Sequence, residues 1–251
     1  MAEFIYLNNW DREQPATRFN DALAKSGLSV ATYRVVKGEL PDATTIANAR
    51  GVFVSASVAG AYDGDTWIDE LGETLRQLAA RQTPMLGLCF GAQVLAWALV
   101  GKDQVFKRSD RETGYAEIRL TDAGRQDPLT RDFEPVMRTF MWHGDEVRAN
   151  HPDIIVLADN DACGNHLWRW RHGPVWGIQP HPEMDQDQIC AFLNKNRDWF
   201  AAEGKDVEPI LAALEPNEQL APIFDRFLAL VINDQAKHAA KHAPGHTAKP
   251  L

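Results

Sequence analysis

"PMLGLCFGAQVLAWALVG", residues 84–101, is the most uniformly uncharged stretch of this chain. Its first six residues read as a short buried strand and the remainder as a helix with apolar residues on every side. Gly87, Cys89, Gly91 and Gln93 interrupt the run, and no comparable second stretch exists, so an interior strand and helix explain it better than a membrane crossing. At the junction stands Gly87-Leu88-Cys89-Phe90-Gly91, G-x-C-x-G, the spacing of a nucleophile elbow with sulfur in place of oxygen. Glycines on both flanks relieve crowding at a sharp strand-to-helix turn and let the central residue hold a strained backbone conformation. There the helix dipole favours the thiolate, and the Phe90 amide can point at an oxyanion formed beside the sulfur.

Working outward, "FIYLNN" (4–9), "SVATYRVV" (29–36) and "GVFVSAS" (51–57) are further strand-length apolar runs. Between them lie the helix-like segments "ATRFNDALAKSG" (16–27) and "TWIDELGETLRQLAAR" (66–81). Strand, helix, strand repeated in this way predicts parallel pairing with right-handed crossovers: an α/β fold, a mostly parallel central sheet flanked by helices. After Gly101 the pattern changes. "YAEIRL" (115–120), "VMRTFMW" (136–142), "DIIVLAD" (153–159), "NHLWRWRH" (165–172) and "PVWGIQ" (174–179) are strand-like and joined by short turns, which predicts antiparallel additions in the second half. From Asp185 the chain reads as helical through "QICAFLNKNRDWFAAEG" (188–204) and "NEQLAPIFDRFLALVIND" (217–234). Residues 1–235 are expected to form one domain and 236–251 a disordered tail.

The 251 residues are 45% apolar and 24% charged, an ordinary balance for a globular protein. A net charge of -9, with no Lys/Arg block, opposes non-specific binding to nucleic acid and points to a small-molecule or protein partner. The start, "MAEFIYLNNWDREQP", lacks the basic and long apolar regions of a secretory leader, and a cytoplasmic address is the expectation. Cys89, Cys163 and Cys190 make neither a disulfide framework nor a C-x-x-C pair, and only Cys89 has the glycine elbow.

A nucleophilic cysteine needs a base, and "PVWGIQPHPEM" (174–184) offers His181, between two prolines and two residues before Glu183. In an extended, proline-restricted segment such residues project to the same side, so Glu183 can hold the imidazole in the useful tautomer. Alone, Cys89 also fits a small buried hydrophobe, and the His-Pro-Glu segment a structural turn. Both, however, follow strands, where α/β sheets place their sites.

"GLCFGAQ" (87–93) with "GIQPHPE" (177–183) resembles the signature pair of the class I glutamine amidotransferase family. The likeness extends over roughly residues 48 to 184, taking in "VSASVAGAYDGDTWIDEL" (54–71), similar to the family's oxyanion-strand region, and "WHGDEV" (142–147). The resemblance implies a flavodoxin-like three-layer fold and a Cys89, His181, Glu183 triad. It also implies backbone oxyanion donors at Phe90 and Ser57, contacts to substrate from Gln93 and from a site-proximal loop holding His143, and no metal or organic cofactor. Two departures stand out. Ala56-Ser57-Val58 replaces the usual Gly-Gly-Pro or Gly-Ser-Pro, which bears on efficiency, and Pro180 replaces the usual aromatic before the histidine.

Three functions remain open at this point. The first is a free-standing glutaminase-type amidotransferase whose ammonia passes to a separate acceptor synthetase. The second is a hydrolase or transferase of γ-glutamyl amides or peptides, since the same thioester forms whatever amine leaves. The third, kept open by the altered oxyanion strand, is a non-catalytic regulatory module.

Other residues draw less. His143 and Asp145 are too few ligands for a metal site, and no metal is expected. Trp142, Trp168, Trp170 and Trp176 read as core rather than as base-stacking platforms. His238, His242 and His246 recur every four residues, but Pro244 and Gly245 break that helix. Cys163 and Cys190 read as structural.

Overall fold

A computed structural model describes residues 2–11 and 17–242, with side chains described as far as 233. In chain order the main elements are β1 (Phe4–Asn8), α1 (Arg18–Ser26), β2 (Val30–Arg34), α2 (Ala43–Asn48), β3 (Gly51–Val54), α3 (Thr66–Ala80), β4 (Met85–Leu88) and α4 (Phe90–Leu99). Then follow β5 (Val105–Leu120), β6 (Val136–Val147), β7 (Ile154–Asp159), β8 (Leu167–Trp170), β9 (Val175–Ile178), α5 (Gln186–Lys195), α6 (Arg197–Ala202), α7 (Glu208–Ala212) and α8 (Ile223–His242).

Nine strands form one curled mixed sheet in the order β2-β1-β3-β4-β9-β8-β7-β5-β6. β2, β1, β3, β4 and β9 run parallel, and from β9 outward each neighbour is antiparallel. The expected α/β class and antiparallel additions are both present. Alternation along the parallel strands explains the layers: Phe4, Tyr6 and Phe53 face one core with Phe19 of α1 and Phe224, Phe227 and Leu228 of α8. Ile5, Leu7, Val52 and Val54 face the other, with Leu71, Leu75 and Leu78 of α3 and Val94 and Leu95 of α4. A smaller cluster, Phe140, Ile189, Leu193 and Phe200, seats α5 and α6 against β6. Helix α4 is buried from Phe90 through Trp97, as its uncharged sequence requires.

Several segments differ from the sequence reading. β6 continues to Val147, so "WHGDEV" is strand and not the expected loop. β5 is 16 residues long and starts ten residues early: Val105, Phe106 and Lys107 pair antiparallel with Val147, Glu146 and Asp145 of β6, and the ladder resumes at Glu112 opposite His143 after a register shift between Lys107 and Glu112. The helix expected from Asn217 begins at Ile223; residues 217–222 are irregular. α8 is described as far as His242, and residues 243–251, with His246 and the rest of the expected tail, lie outside the described residues. No helix among the described residues is long and apolar enough to cross a membrane.

Candidate active site

β4 and β9 are adjacent and parallel, with Leu88 opposite Ile178, so the segments leaving their C-terminal ends emerge side by side. One carries Cys89 and the other His181. Cys89 occupies the single position between β4 and α4 at φ 50° and ψ -106°, a left-handed value that non-glycine residues rarely adopt. Its N–H donates to Ile178 O at 2.7 Å, which ties the elbow to β9. The flanking glycines are needed for close approach rather than for their own torsions. A Cβ on Gly91 would stand 2.0 Å from Val54 O, and one on Gly87 would stand 2.4 Å from the Gly91 carbonyl carbon. β3, β4 and α4 therefore meet backbone to backbone beneath the thiol.

His181 is 2% exposed and Glu183 7%. The imidazole Nδ1 donates to Glu183 Oε1 at 2.7 Å, and the ring lies close enough to Cys89 for the sulfur to act on its charge. Nε2 lies 3.3 Å from Trp142 O. Burial disfavours the imidazolium, but the Glu183 carboxylate and then the Cys89 sulfur outweigh it and raise the His181 pKa well above the usual histidine value. The arrangement is a buried carboxylate–imidazole pair beside the Cys89 sulfur, able to hold a proton on histidine.

Two residues that sequence reasoning passed over position this pair. Asn217, 1% exposed, donates from Nδ2 to His181 O (2.8 Å) and Met184 O (2.9 Å), and accepts at Oδ1 from Phe140 N (3.0 Å) and Thr139 Oγ1 (3.1 Å). Since His181 N also donates to Phe140 O at 2.9 Å, the His-Pro-Glu segment is sewn to β6 both directly and through Asn217. Arg18, at the start of α1, donates through its guanidinium to Pro182 O, Met184 O and Asn217 O, and its backbone N–H donates to Glu183 O. Downstream, Asp185 and Gln188 exchange hydrogen bonds in a capping box that starts α5 just after Glu183. In sequence Asn217 looks like a helix start; its role depends on contacts 33 to 78 residues away.

The oxyanion candidates are backbone groups. Phe90 is the first residue of α4, where an N–H has no intrahelical acceptor. Ser57 lies in the loop after β3; this loop is pinned by Asn9, whose N–H donates to Ser55 Oγ at 2.9 Å and whose Nδ2 donates to Ser55 O at 2.8 Å. The Ser57 hydroxyl accepts from Ala59 N at 3.2 Å. Farther along the loop Tyr62 donates to Asp145 Oδ1 at 2.6 Å, bridging to β6.

Gln93, one helical turn after Cys89 and 3% exposed, donates to Gln179 Oε1 at 3.2 Å and Asp145 O at 3.4 Å. The structure thus keeps it beside the elbow. His143 is placed elsewhere: its ring is fully buried, with Nδ1 donating to Asp145 O at 2.9 Å and Nε2 lying 3.1 Å from Glu112 Oε2. It reaches the site only through the Asp145 carbonyl that it shares with Gln93. Its metal-capable neighbours are Glu112, Cys163 and His166 rather than Asp145.

Comparison with known proteins gives consistent results. The family model described as glutamine amidotransferase class-I matches residues 17–196. The GMP synthase (glutamine-hydrolysing) of Enterobacter sp. strain 638 is 35% identical over 106 residues, 40% of this chain and 20% of that protein. The aligned stretch thus spans about a fifth of the length of the curated relatives it matches. Among solved structures, a glutamine amidotransferase from Thermotoga maritima superposes with a TM-score of 0.77 at 18% identity, covering 91% of this chain and 97% of that one. A glutamine amidotransferase from Methylobacillus flagellatus superposes with a TM-score of 0.69 at 19% identity, covering 100% and 99%.

Proposed function

The chain belongs to the class-I glutamine amidotransferase family, and from that premise we propose that it hydrolyses the γ-amide of L-glutamine, releasing glutamate and ammonia for a separate acceptor enzyme. The observation that carries this reading is the buried Glu183–His181 pair beside the Cys89 sulfur at the adjacent ends of β9 and β4.

The Cys89 thiolate attacks the γ-carboxamide carbon. A C–S bond forms, and the carbonyl electron pair moves onto oxygen, facing the N–H groups of Phe90 and Ser57. Each such preorganised donor contributes about 3 kcal/mol to an acyl-transfer transition state. His181 then gives its Nε2 proton to the nitrogen as the C–N bond breaks, leaving ammonia and a γ-glutamyl thioester. Neutral His181 next takes a proton from water, whose oxygen attacks the thioester. That transfer restores the imidazolium; collapse then expels the thiolate and frees glutamate, whose carboxyl proton passes to ammonia or solvent. Glu183 holds Nδ1–H throughout, so that Nε2 always faces the reacting atoms. Gln93, held by Gln179 and the Asp145 carbonyl, supplies the amide beside the elbow that orients substrate. The Ala56-Ser57-Val58 sequence alters the rate rather than the reaction, because the donor at Ser57 is backbone.

An acceptor synthetase as partner is supported by the relatives, which are themselves glutamine-hydrolysing GMP synthases. The test is glutamate and ammonia release from L-glutamine by the purified chain, with Cys89→Ala as control and a γ-glutamyl dipeptide in competition. Cysteine-dependent release with glutamine preferred supports the proposal. Preference for the dipeptide would transfer the activity to γ-glutamyl peptides, and release unchanged by Cys89→Ala would remove both.

A further inference from the structure

We propose that Glu112, His143, Cys163 and His166 form a closed structural site for one divalent transition-metal ion of the zinc class, separate from the Cys89 chemistry. Their ligand atoms all lie within 4.8 Å of one another and come from β5, β6 and the turn leading into β8. Both imidazoles are fully buried, Cys163 is 1% exposed, and the Glu112 side chain is 11% exposed.

The hydrogen bonding around the cluster points to a cation. His143 Nδ1 meets a backbone carbonyl, Asp145 O, which can only accept, so this nitrogen carries the proton. Nε2 of a neutral ring therefore turns a lone pair toward Glu112 Oε2, 3.1 Å away. A metal ion shared by the two satisfies both. His166 supplies an independent sign: neither of its ring nitrogens has a hydrogen-bond partner, and Nε2 stands 3.7 Å from the same Oε2, too far for a hydrogen bond. A fully buried imidazole with two unpartnered nitrogens, aimed at a carboxylate, is costly unless something binds it.

The surroundings of His143 and Glu112 match those of metal ligands. Ligating histidines usually donate their other nitrogen to a carbonyl or carboxylate, and ligating carboxylates are hydrogen-bonded in turn. Here the Asp145 carbonyl takes His143 Nδ1, and Asn160 Nδ2 donates to Glu112 Oε1 at 3.0 Å. Asn160 Oδ1 also accepts from Ala162 N (2.9 Å) and Cys163 N (2.7 Å), shaping the turn that presents the thiol. Zinc–N and zinc–O bonds of about 2.0–2.1 Å and zinc–S bonds of about 2.3 Å in a tetrahedron separate neighbouring donors by roughly 3.3–3.7 Å. The 3.1 and 3.7 Å spacings at Glu112 bracket that range.

Charge also balances. One thiolate and one carboxylate neutralise the 2+ ion, the imidazoles enter neutral, and the Cys163 thiol proton passes to solvent as the metal–sulfur bond forms. Thiolate and imidazole donors select zinc-like ions over magnesium or calcium, and four protein ligands leave no open position for catalysis. The ion would staple the 160–166 turn to β5 and β6. That turn abuts the site, since His166 O accepts from Gln179 N at 2.8 Å.

The experiment uses the full chain without an affinity tag, treated with chelator and then loaded with Zn2+ or Co2+. Expected results are one metal per chain after desalting and a raised Tm. A thiolate-to-cobalt charge-transfer band should persist in Cys89→Ser and be lost in Cys163→Ser. No stoichiometric metal and no Co2+ band in the wild-type chain would overturn the proposal, leaving a hydrogen-bonded His143–Glu112 pair. Undiminished binding by Cys163→Ser together with His166→Ala would also overturn it, assigning the metal to other groups such as the histidines at 238, 242 and 246. Should Cys163→Ser fail to fold, the wild-type and Cys89→Ser spectra and stoichiometries still decide.

Discussion

Replacing Asn217 by alanine tests how far the His-Pro-Glu segment depends on a residue that touches none of the reacting atoms. The side chain makes four buried hydrogen bonds, two to the carbonyls of His181 and Met184 and two from Phe140 N and Thr139 Oγ1. A typical bond of this kind contributes about 1 kcal/mol net, and stranded buried partners cost more, so with non-additivity the loss is about 3 kcal/mol. For a chain of this size that corresponds to a fall in Tm of about 6–12 °C. Activity should fall further than stability alone explains, because the tethers that remain, His181 N to Phe140 O and the Arg18 contacts to the Pro182, Glu183 and Met184 carbonyls, no longer fix the His181 carbonyl and give the imidazole room to pivot. At a temperature where the variant is fully folded, kcat should drop with little change in KM, since Gln93 and the elbow are untouched. Asn217→Asp should not rescue: it keeps the acceptor for Phe140 N but sets a carboxylate against the His181 and Met184 carbonyls. The assay is steady-state glutamate release beside a melting curve. An Asn217→Ala chain with wild-type kcat and Tm would refute the reasoning.

Three further outcomes follow from the same geometry. Gly91→Ala should destabilise the fold and abolish activity, because its Cβ would fall 2.0 Å from the Val54 carbonyl oxygen, a backbone atom that cannot rotate aside; a soluble, active variant would show that β3 and α4 can separate. Glu183→Gln should cost roughly 10³–10⁴-fold in kcat/KM by allowing the wrong tautomer, as in comparable triads. The charge of Glu183 also raises the His181 pKa, so the imidazolium is kept below that raised value and lost as pH climbs through it. Activity and the stability linked to this proton should both decline on the alkaline side, and Glu183→Gln should move that limb to lower pH; an unmoved limb would mean that another group sets it.

Most of the parallel half was legible in the sequence because its strands are short, apolar and separated by amphipathic helices, so that period and length agree. The elbow was legible for a different reason: Gly87 and Gly91 are demanded by backbone contacts below van der Waals distance, and such demands leave glycines at fixed spacing. His181 and Glu183 sit two residues apart, within reach of a local argument. Where the deciding contacts are long-range, the sequence is quiet. Asn217 opens an apolar run as a helix cap would, and only its bonds to β6 and to the His-Pro-Glu segment reveal its role. The charged start of β5 hides a strand because one side of the hairpin is solvated and the pairing skips register at Lys107/Glu112. His143 reads in sequence as a site-loop residue beside Asp145; the alternation of β6 turns its ring instead toward Glu112, with Cys163 and His166 completing a group drawn from three separate segments.

The central chemistry, attack by Cys89 on a γ-glutamyl carbon, is tested most directly by acid-quenching the chain during turnover with L-glutamine and mapping the peptides by mass spectrometry. A γ-glutamyl adduct on the Cys89 peptide, absent from Cys89→Ala, is the predicted result. Glutamate release with no adduct on Cys89, or an adduct on Cys163 or Cys190, would contradict it.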